Sequence, residues 1–315
     1  MRLCAPARNA PTASVVGAGR KIFGTKRVRS SRRVGRRSSH YHRAWWRHLF
    51  LTNAPDRLSF GRLRQRLLNT PIEIREVEVA SPLWPAELDG LRIGHVSDLH
   101  LGTLMPIERA HAAIEQLVER RPDLVACTGD VVDLHAKGVD AVFDHWAKFH
   151  PPLGSWLVLG NHDHLDAPED VARAATRAGL QVLEDRRVEI EHNGQPVCIG
   201  GIGWSRTAEG CAARLKLLDE SPIHLLLAHN PRIFPAAARR RIALTLAGHT
   251  HGGQIASGSD PNRNLAVAYK HSAGTFDLGK SRMYVTAGVG AWFPVRVNCP
   301  PEMALITMRR TTGGT

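Results

Sequence analysis

Five short polar clusters lie in order along this 315-residue chain: Asp98-Leu99-His100, Gly129-Asp130-Val131-Val132-Asp133, Gly160-Asn161-His162-Asp163, His229-Asn230 and Gly248-His249-Thr250-His251. Seven of these side chains (Asp98, His100, Asp130, Asn161, His229, His249 and His251) are of types that bind metal, an inventory that suits two divalent cations better than one. A carboxylate such as Asp130 can bridge two cations, because each oxygen can take one. Asn161 offers an amide oxygen that adds no charge to a crowded site. His249 and His251 share a loop flanked by Gly248, Gly252 and Gly253, which lets the two rings diverge toward different ions. Mixed imidazole and carboxylate ligation suits Mn, Fe, Zn or Co more than Ca or Mg. Two such ions roughly 3.5–4 Å apart can hold a bridging hydroxide and clamp a phosphate for in-line attack at phosphorus.

Each cluster follows an apolar run of the kind that makes a buried strand, which places the clusters at the carboxyl ends of neighbouring strands. Strands are expected at 72–79, 91–97, 123–128, 155–159, 223–228 and 242–247. Shorter ones are expected at 181–184, 187–192 and 197–202, with His192-Asn193-Gly194 as a hairpin turn. Pro106 opens a helix to about Arg120, with Ile107, Ala110, Ile114, Leu117 and Val118 on one face. Further helices are expected at 139–149, 168–178 and 208–219. The last third reads as β-rich, with strands at 265–271, 282–287 and 302–309. The sum is an α/β domain with a mixed second sheet and helices outside.

The formal net charge of +13 resembles a nucleic-acid signature, but residues 1–70 hold 17 of the Lys and Arg against a single acid, Asp56. The rest of the chain is near neutral. The reading is therefore a basic tail, 1–70, and a folded domain, 71–315. Residues 1–43 cannot bury enough apolar surface to offset chain entropy and are expected to be disordered. Residues 44–68, with Trp45 and Trp46 beside a basic amphipathic stretch, suit the surface of an anionic membrane, the alternative being a solvated tail. No base-reading module is present, so nucleic-acid binding would be electrostatic and non-specific. Five cysteines, an odd number without CxxC spacing, argue against a disulfide framework and toward a reducing compartment. No run of 18 apolar residues exists, and no h-region follows the paired arginines. The expectation is a cytoplasmic protein, peripheral at the inner membrane if the basic segment docks there.

Taken together the clusters resemble the motifs of the calcineurin-like metallophosphoesterase superfamily, from about Leu91 to Met308. The stretch from Gly248-His249-Thr250-His251-Gly252-Gly253-Gln254 through Val295-Arg296 to Pro301-Glu302 is similar to a bacterial phosphodiesterase branch that includes UDP-diacylglucosamine hydrolases of lipid A synthesis. The resemblance implies a four-layer αββα sandwich with two mixed β-sheets. It also implies a dinuclear metal-dependent phosphoesterase hydrolysing a phosphodiester or pyrophosphate, on a small-molecule or lipid-linked substrate. By the same resemblance Asp98, His100, Asp130 and His251 hold the first metal. Asp130, Asn161, His229 and His249 hold the second, with Asp130 bridging. His162 matches the non-ligand histidine that contacts phosphate and can protonate the leaving group, and Asp133 the acid that orients it. Two departures narrow the substrate. Leu134 stands where protein Ser/Thr phosphatases carry Arg, and His162 where the major lipid A hydrolases carry Arg. A cyclic-nucleotide or nucleotide phosphodiesterase is the alternative enzyme, and a non-catalytic scaffold the alternative class. Smaller expectations are that His95 is a packed core histidine, Asp163 stabilises a turn, and Arg296 either binds phosphate or pairs with Glu302. Trp204, Trp292 and Phe293 either line a pocket or pack.

Overall fold

Short apolar strands, the central ones buried at nearly every position, build two six-stranded sheets in the computed structural model, which describes residues 39–258 and 260–311. The first sheet takes strands β1 (Glu73–Ser81), β2 (Arg92–Val96), β3 (Leu124–Cys127), β4 (Ser155–Leu157), β5 (Gln181–Val182) and β14 (Glu302–Arg310), in the order β1-β14-β2-β3-β4-β5. All its pairs are parallel except β14 with β2. The second takes β6 (Arg186–His192), β7 (Gln195–Gly201), β8 (Leu225–Leu227), β9 (Leu244–Ala247), β12 (Gly274–Leu278) and β13 (Ser281–Val285), in the order β12-β13-β9-β8-β7-β6. Its central strands are parallel and its two edge strands antiparallel to their neighbours. A small ribbon pairs β10 (Ala256–Ser257) with β11 (Asp260–Asn264).

The sheets meet face to face through one apolar layer. Ile93, Ala126, Trp156 and Ile306 from the first sheet join Ile199, Leu225, Leu227 and Leu244 from the second. The opposite face of the first sheet, with Val125, Cys127 and Leu157, is covered by α4 (Ile107–Glu119), α5 (Val139–Trp146) and α6 (Pro168–Arg177). Helix α4 does this because Ala110, Ala113, Ile114 and Leu117 recur at helical spacing and are all buried. Helices α7 (Ala208–Leu215) and α8 (Phe234–Arg239) cover Leu226 on the other sheet. The result is the expected αββα sandwich. The 192–194 turn forms with φ of 52° at Asn193 and 77° at Gly194, the left-handed pair that an Asn-Gly hairpin requires.

Two expectations need correction. The segment 265–271 is a loop between β11 and β12. Asn264 captures it, its Oδ1 accepting from Ala266 N (2.8 Å) and its Nδ2 donating to Ser272 Oγ (2.8 Å), so local side-chain bonds displace a ladder. Arg296 does not pair with Glu302, which instead meets Arg75 (2.7 Å) and Tyr284 (3.0 Å). Residues 39–311 fall within one compact unit. Residues 39–69 make α1 (Ser39–His48), a π-helical turn (Leu49–Asn53), α2 (Ala54–Leu58) and α3 (Arg62–Asn69). Tyr41, Ala44 and Leu67 are buried, and Arg109 donates to the carbonyls of Leu68 and Thr70. A few anchors outweigh a polar composition. The expected disorder of 1–38 lies outside the described residues. Cys127, Cys198, Cys211 and Cys299 are free and buried. No helix among the described residues is long and apolar enough to cross a membrane.

Candidate metal centre

Strands β2, β3 and β4 of one sheet, and β8 and β9 of the other, end on the same side of the molecule, and all five clusters lie in the loops just beyond them. Backbone bonds tie these loops together. Asp98 N donates to Gly129 O (2.9 Å), His100 N to Asp130 O (3.0 Å) and Gly248 N to His229 O (3.2 Å). Two candidate ligands also accept from the backbone, Asp98 from His249 N (3.0 Å) and Asp130 from His162 N (2.7 Å). Five of the seven are held in the left-handed region: φ is 54° at Asp98, 48° at His100, 51° at Asp130, 73° at His249 and 51° at His251. Such conformations cost about 1–3 kcal/mol each in a side-chain-bearing residue, and they persist where surrounding structure imposes them. Gly160 is required here for a different reason, because a Cβ would run into the Asp130 carboxylate.

All seven candidate ligands converge, in two groups that share Asp130. In the first, His100 Nε2 and His251 Nε2 are 2.9 Å apart, and Asp98 Oδ1 lies 3.3 Å from the latter. Asp130 Oδ2 is 3.6 Å from His100 Nε2. In the second, His229 Nε2 lies 3.1 Å from the same Asp130 Oδ2, 3.2 Å from Asn161 Oδ1 and 3.2 Å from His249 Nδ1. The donor set fits cations. His229 Nδ1 donates to Thr128 O (2.6 Å), which leaves Nε2 as a lone pair aimed at a carboxylate, an amide oxygen and another ring nitrogen. Convergent lone pairs of this kind, nearly all fully buried, need a cation or protons between them.

Titration behaviour follows from that crowding. Burial pushes Asp98 up, reinforced by Asp130. For Asp130 burial also pushes up, but His229, His162 and His100 outweigh it and hold the carboxyl well below its usual range. His229 is raised to about 9, the pull of Asp130 overcoming desolvation. His249 and His251 are driven well down, chiefly by burial, with His229 adding to the effect at His249 and His100 and Arg296 at His251.

Behind the ligands stands an orienting layer. His162 Nδ1 donates to Asp133 O (2.6 Å), with the Asp133 carboxylate 3.2 Å away, and its Nε2 faces the cavity. Asp133 Oδ1 also lies 3.4 Å from His100 Nδ1. Asp163 accepts from Val132 N (3.1 Å) and Gly160 N (2.8 Å), the expected turn role, and burial raises it to about 7. Arg296 is turned inward, donating to the carbonyls of Ala287, Gly288 and Cys299 behind His251, so it is a backbone clamp rather than a substrate contact. Trp204 lies against the rings of His229 and His249. His95 is fully buried, with Nε2 2.9 Å from Thr128 Oγ1.

The cluster opens into a cavity of about 740 Å³ whose far wall includes Leu51, Pro55, Leu265, Trp292 and Phe293. Several residues here escaped the sequence reading. Tyr269 OH lies 2.7 Å from His249 Nε2 and fixes that ring, brought there by the loop misread as a strand. His48 Nδ1 lies 2.9 Å from Asp133 Oδ2, and Arg47 Nη2 3.2 Å from His162 Nε2. Their only sequence signal was the basic aromatic segment in which they occur.

Fold and site together define a metal-dependent phosphoesterase, and comparison with known proteins agrees: the chain belongs to the calcineurin-like phosphoesterase family, whose model matches residues 91–253. Among its relatives is an uncharacterized metallophosphoesterase of Aquifex aeolicus (strain VF5), 30% identical over 228 residues, covering 70% of this chain and 85% of that one. The uncharacterized metallophosphoesterase YkuE of Bacillus subtilis (strain 168) is 27% identical over 259 residues, covering 76% and 86%. Phosphodiesterase YaeI of Escherichia coli (strain K12) is 28% identical over 227 residues, covering 69% and 82%.

Proposed function

We propose that this enzyme is a dinuclear phosphodiesterase, in which Asp98, His100, Asp130 and His251 hold one divalent ion and Asp130, Asn161, His229 and His249 the other. The observation that carries the reading is the pair of donor groups sharing one carboxylate oxygen, Asp130 Oδ2. Divalent ions bound there supply Lewis-acid polarisation of a phosphoryl group and an acidified water. His162, its Nδ1 held by Asp133 and its Nε2 toward the cavity, carries the proton for the departing oxygen. Burial alone would lower its affinity for that proton, but Asp130 and Asp133 raise it above the ordinary histidine value. Mn, Fe, Zn and Co all suit the donor set.

The substrate class is a phosphodiester or pyrophosphate bearing an apolar group, of which UDP-diacylglucosamine is one example. Support comes from the apolar far wall of the cavity. Support for delivery from an anionic membrane surface comes from Trp45, Trp46, Phe50, Leu51, Leu58 and Phe60, all exposed on the segment that borders the cavity. The test is hydrolysis of bis-p-nitrophenyl phosphate by the full chain with and without Mn²⁺. Metal-dependent turnover is expected. No turnover with any divalent ion, despite bound metal, would overturn the hydrolytic reading.

A further inference from the structure

One wall of the cavity is not built by the sandwich at all but by residues 47–55, and it carries a cation that has no anionic partner among the described residues. Arg47, in the last turn of α1, directs Nη2 to His162 Nε2 at 3.2 Å, and its guanidinium carbon lies 5.6 Å from the Trp292 ring centroid. Among the described residues no carboxylate lies within ion-pair range of it, while the other arginine of this segment that reaches an acid, Arg64, pairs with Asp56. Arg47 lines the same cavity as His100, Asp130, Asn161, His249 and His251.

A free-swinging surface arginine would carry no argument, but this one is fixed on both sides. The next residue, His48, meets the Asp133 carboxylate at 2.9 Å. One turn further, Thr52 Oγ1 donates to Trp292 O at 2.8 Å, and a turn earlier Tyr41 and Ala44 are buried. The guanidinium donates to the His162 ring, lies against Trp292 and faces a cation-binding cluster, so among the described residues its charge is left for an anion in the cavity to balance. The planar fork of arginine matches two oxygens of a tetrahedral phosphoryl group.

We propose that Arg47 binds the phosphoryl group of the substrate from the side opposite the two donor groups, so that the N-terminal helical segment supplies part of the substrate site. The inference rests on the phosphoester reading above and adds a recognition residue from outside the sandwich. Phosphate oxygens that do not face the cations meet Arg47, next to the departing oxygen served by His162. A monoester, a diester and free inorganic phosphate share this chemistry.

The experiment compares the full chain with Arg47→Ala, Arg47→Lys and, as a control on an exposed helix, Arg173→Ala. Binding of inorganic phosphate to the Mn²⁺-loaded proteins is measured by calorimetry, alongside metal content, thermal midpoint and KM for bis-p-nitrophenyl phosphate. Arg47→Ala should weaken phosphate binding by on the order of 10- to 100-fold, the range for a hydrogen-bonded charged group. Arg47→Lys should recover part of it, with metal content and midpoint unchanged in both, and Arg173→Ala should match the wild type. Equal phosphate affinity in the wild type and Arg47→Ala would overturn the proposal, as would no phosphate binding by the wild type. Loss of affinity only together with loss of metal would overturn it too, by making Arg47 structural. A wild type that binds phosphate through Arg47 yet turns over no diester would overturn the hydrolytic reading and leave Arg47 as an anion-binding residue.

Discussion

Asp130 is the residue on which the two donor groups depend, and it is also the most strongly contested. It lies 2% exposed, accepts from His162 N through one oxygen and faces His100 and His229 through the other. Asp130→Asn removes the charge while keeping the shape, so bound metal should fall and diester hydrolysis should vanish. A variant with full activity would exclude the bridging role. His162→Ala should instead retain metal and lose about 10²–10⁴-fold in turnover, the usual contribution of a general acid, and metal analysis separates the two cases. His95 makes a prediction independent of the site. Burial holds its ring down at about 3, whereas in the unfolded chain it titrates near the ordinary histidine value of 6.5. The unfolded state therefore takes up the proton first, and stability falls as pH drops below 6.5, by up to about 1.4 kcal/mol per pH unit. Urea unfolding at pH 7, 6 and 5 should show a shallower loss in His95→Gln than in the wild type, and equal slopes would remove the assignment.

At the scale of elements, the strand-end loops and the N-terminal helices do different work. The loops were legible because each follows a strand whose apolar run is unambiguous: β2, β3, β4, β8 and β9 all lie inside the expected spans. The N-terminal helices were not, because their attachment rests on few residues. Tyr41 OH to His135 Nε2 at 3.2 Å and His48 to Asp133 are contacts across most of a hundred residues, and no local pattern encodes them. The same segment exposes its apolar side chains, with Phe60 at 89% and Trp46 at 52%. It should therefore bind vesicles containing phosphatidylglycerol more tightly than neutral vesicles, and salt should weaken the binding. Replacing Trp46 and Phe60 by Ser should abolish sedimentation with vesicles while leaving bis-p-nitrophenyl phosphate hydrolysis intact. Sedimentation unchanged by the substitutions would assign the exposed aromatics elsewhere.

Across the whole molecule, two face-to-face sheets with their own helical cover bring their strand ends to one edge, and the polar donors of both collect there. Asp98, His100, Asp130, His229 and His251 are each at most 2% exposed, a concentration of polarity that a cation relieves. Metal that binds only the folded state adds about 2.7 kcal/mol of stability at a hundredfold excess over its dissociation constant. For a domain of this size chelation should then lower the melting temperature by roughly 5–10 °C, recoverable on adding Mn²⁺ back. A midpoint insensitive to chelator, in protein shown to have lost its metal, would mean that the folded site tolerates its own charges.

What the sequence determined by itself was the set of donors and the scaffold that carries them. Apolar runs ending in Asp, Asn and His state locally both the strand and what stands at its end, and the αββα layering follows from alternating strands and amphipathic helices. The tertiary structure alone decided which donors meet. Asp98 and His251 are 153 positions apart, yet Asp98 Oδ1 is 3.3 Å from His251 Nε2, because strands β2 and β9 from different sheets end at the same edge. It also decided that Arg296 faces backbone carbonyls, that Tyr269 reaches His249, and that Arg47 enters the cavity. Each of these depends on where a distant surface lies relative to a flexible side chain. That relation is fixed only when the two sheets, their covering helices and the N-terminal segment are packed together.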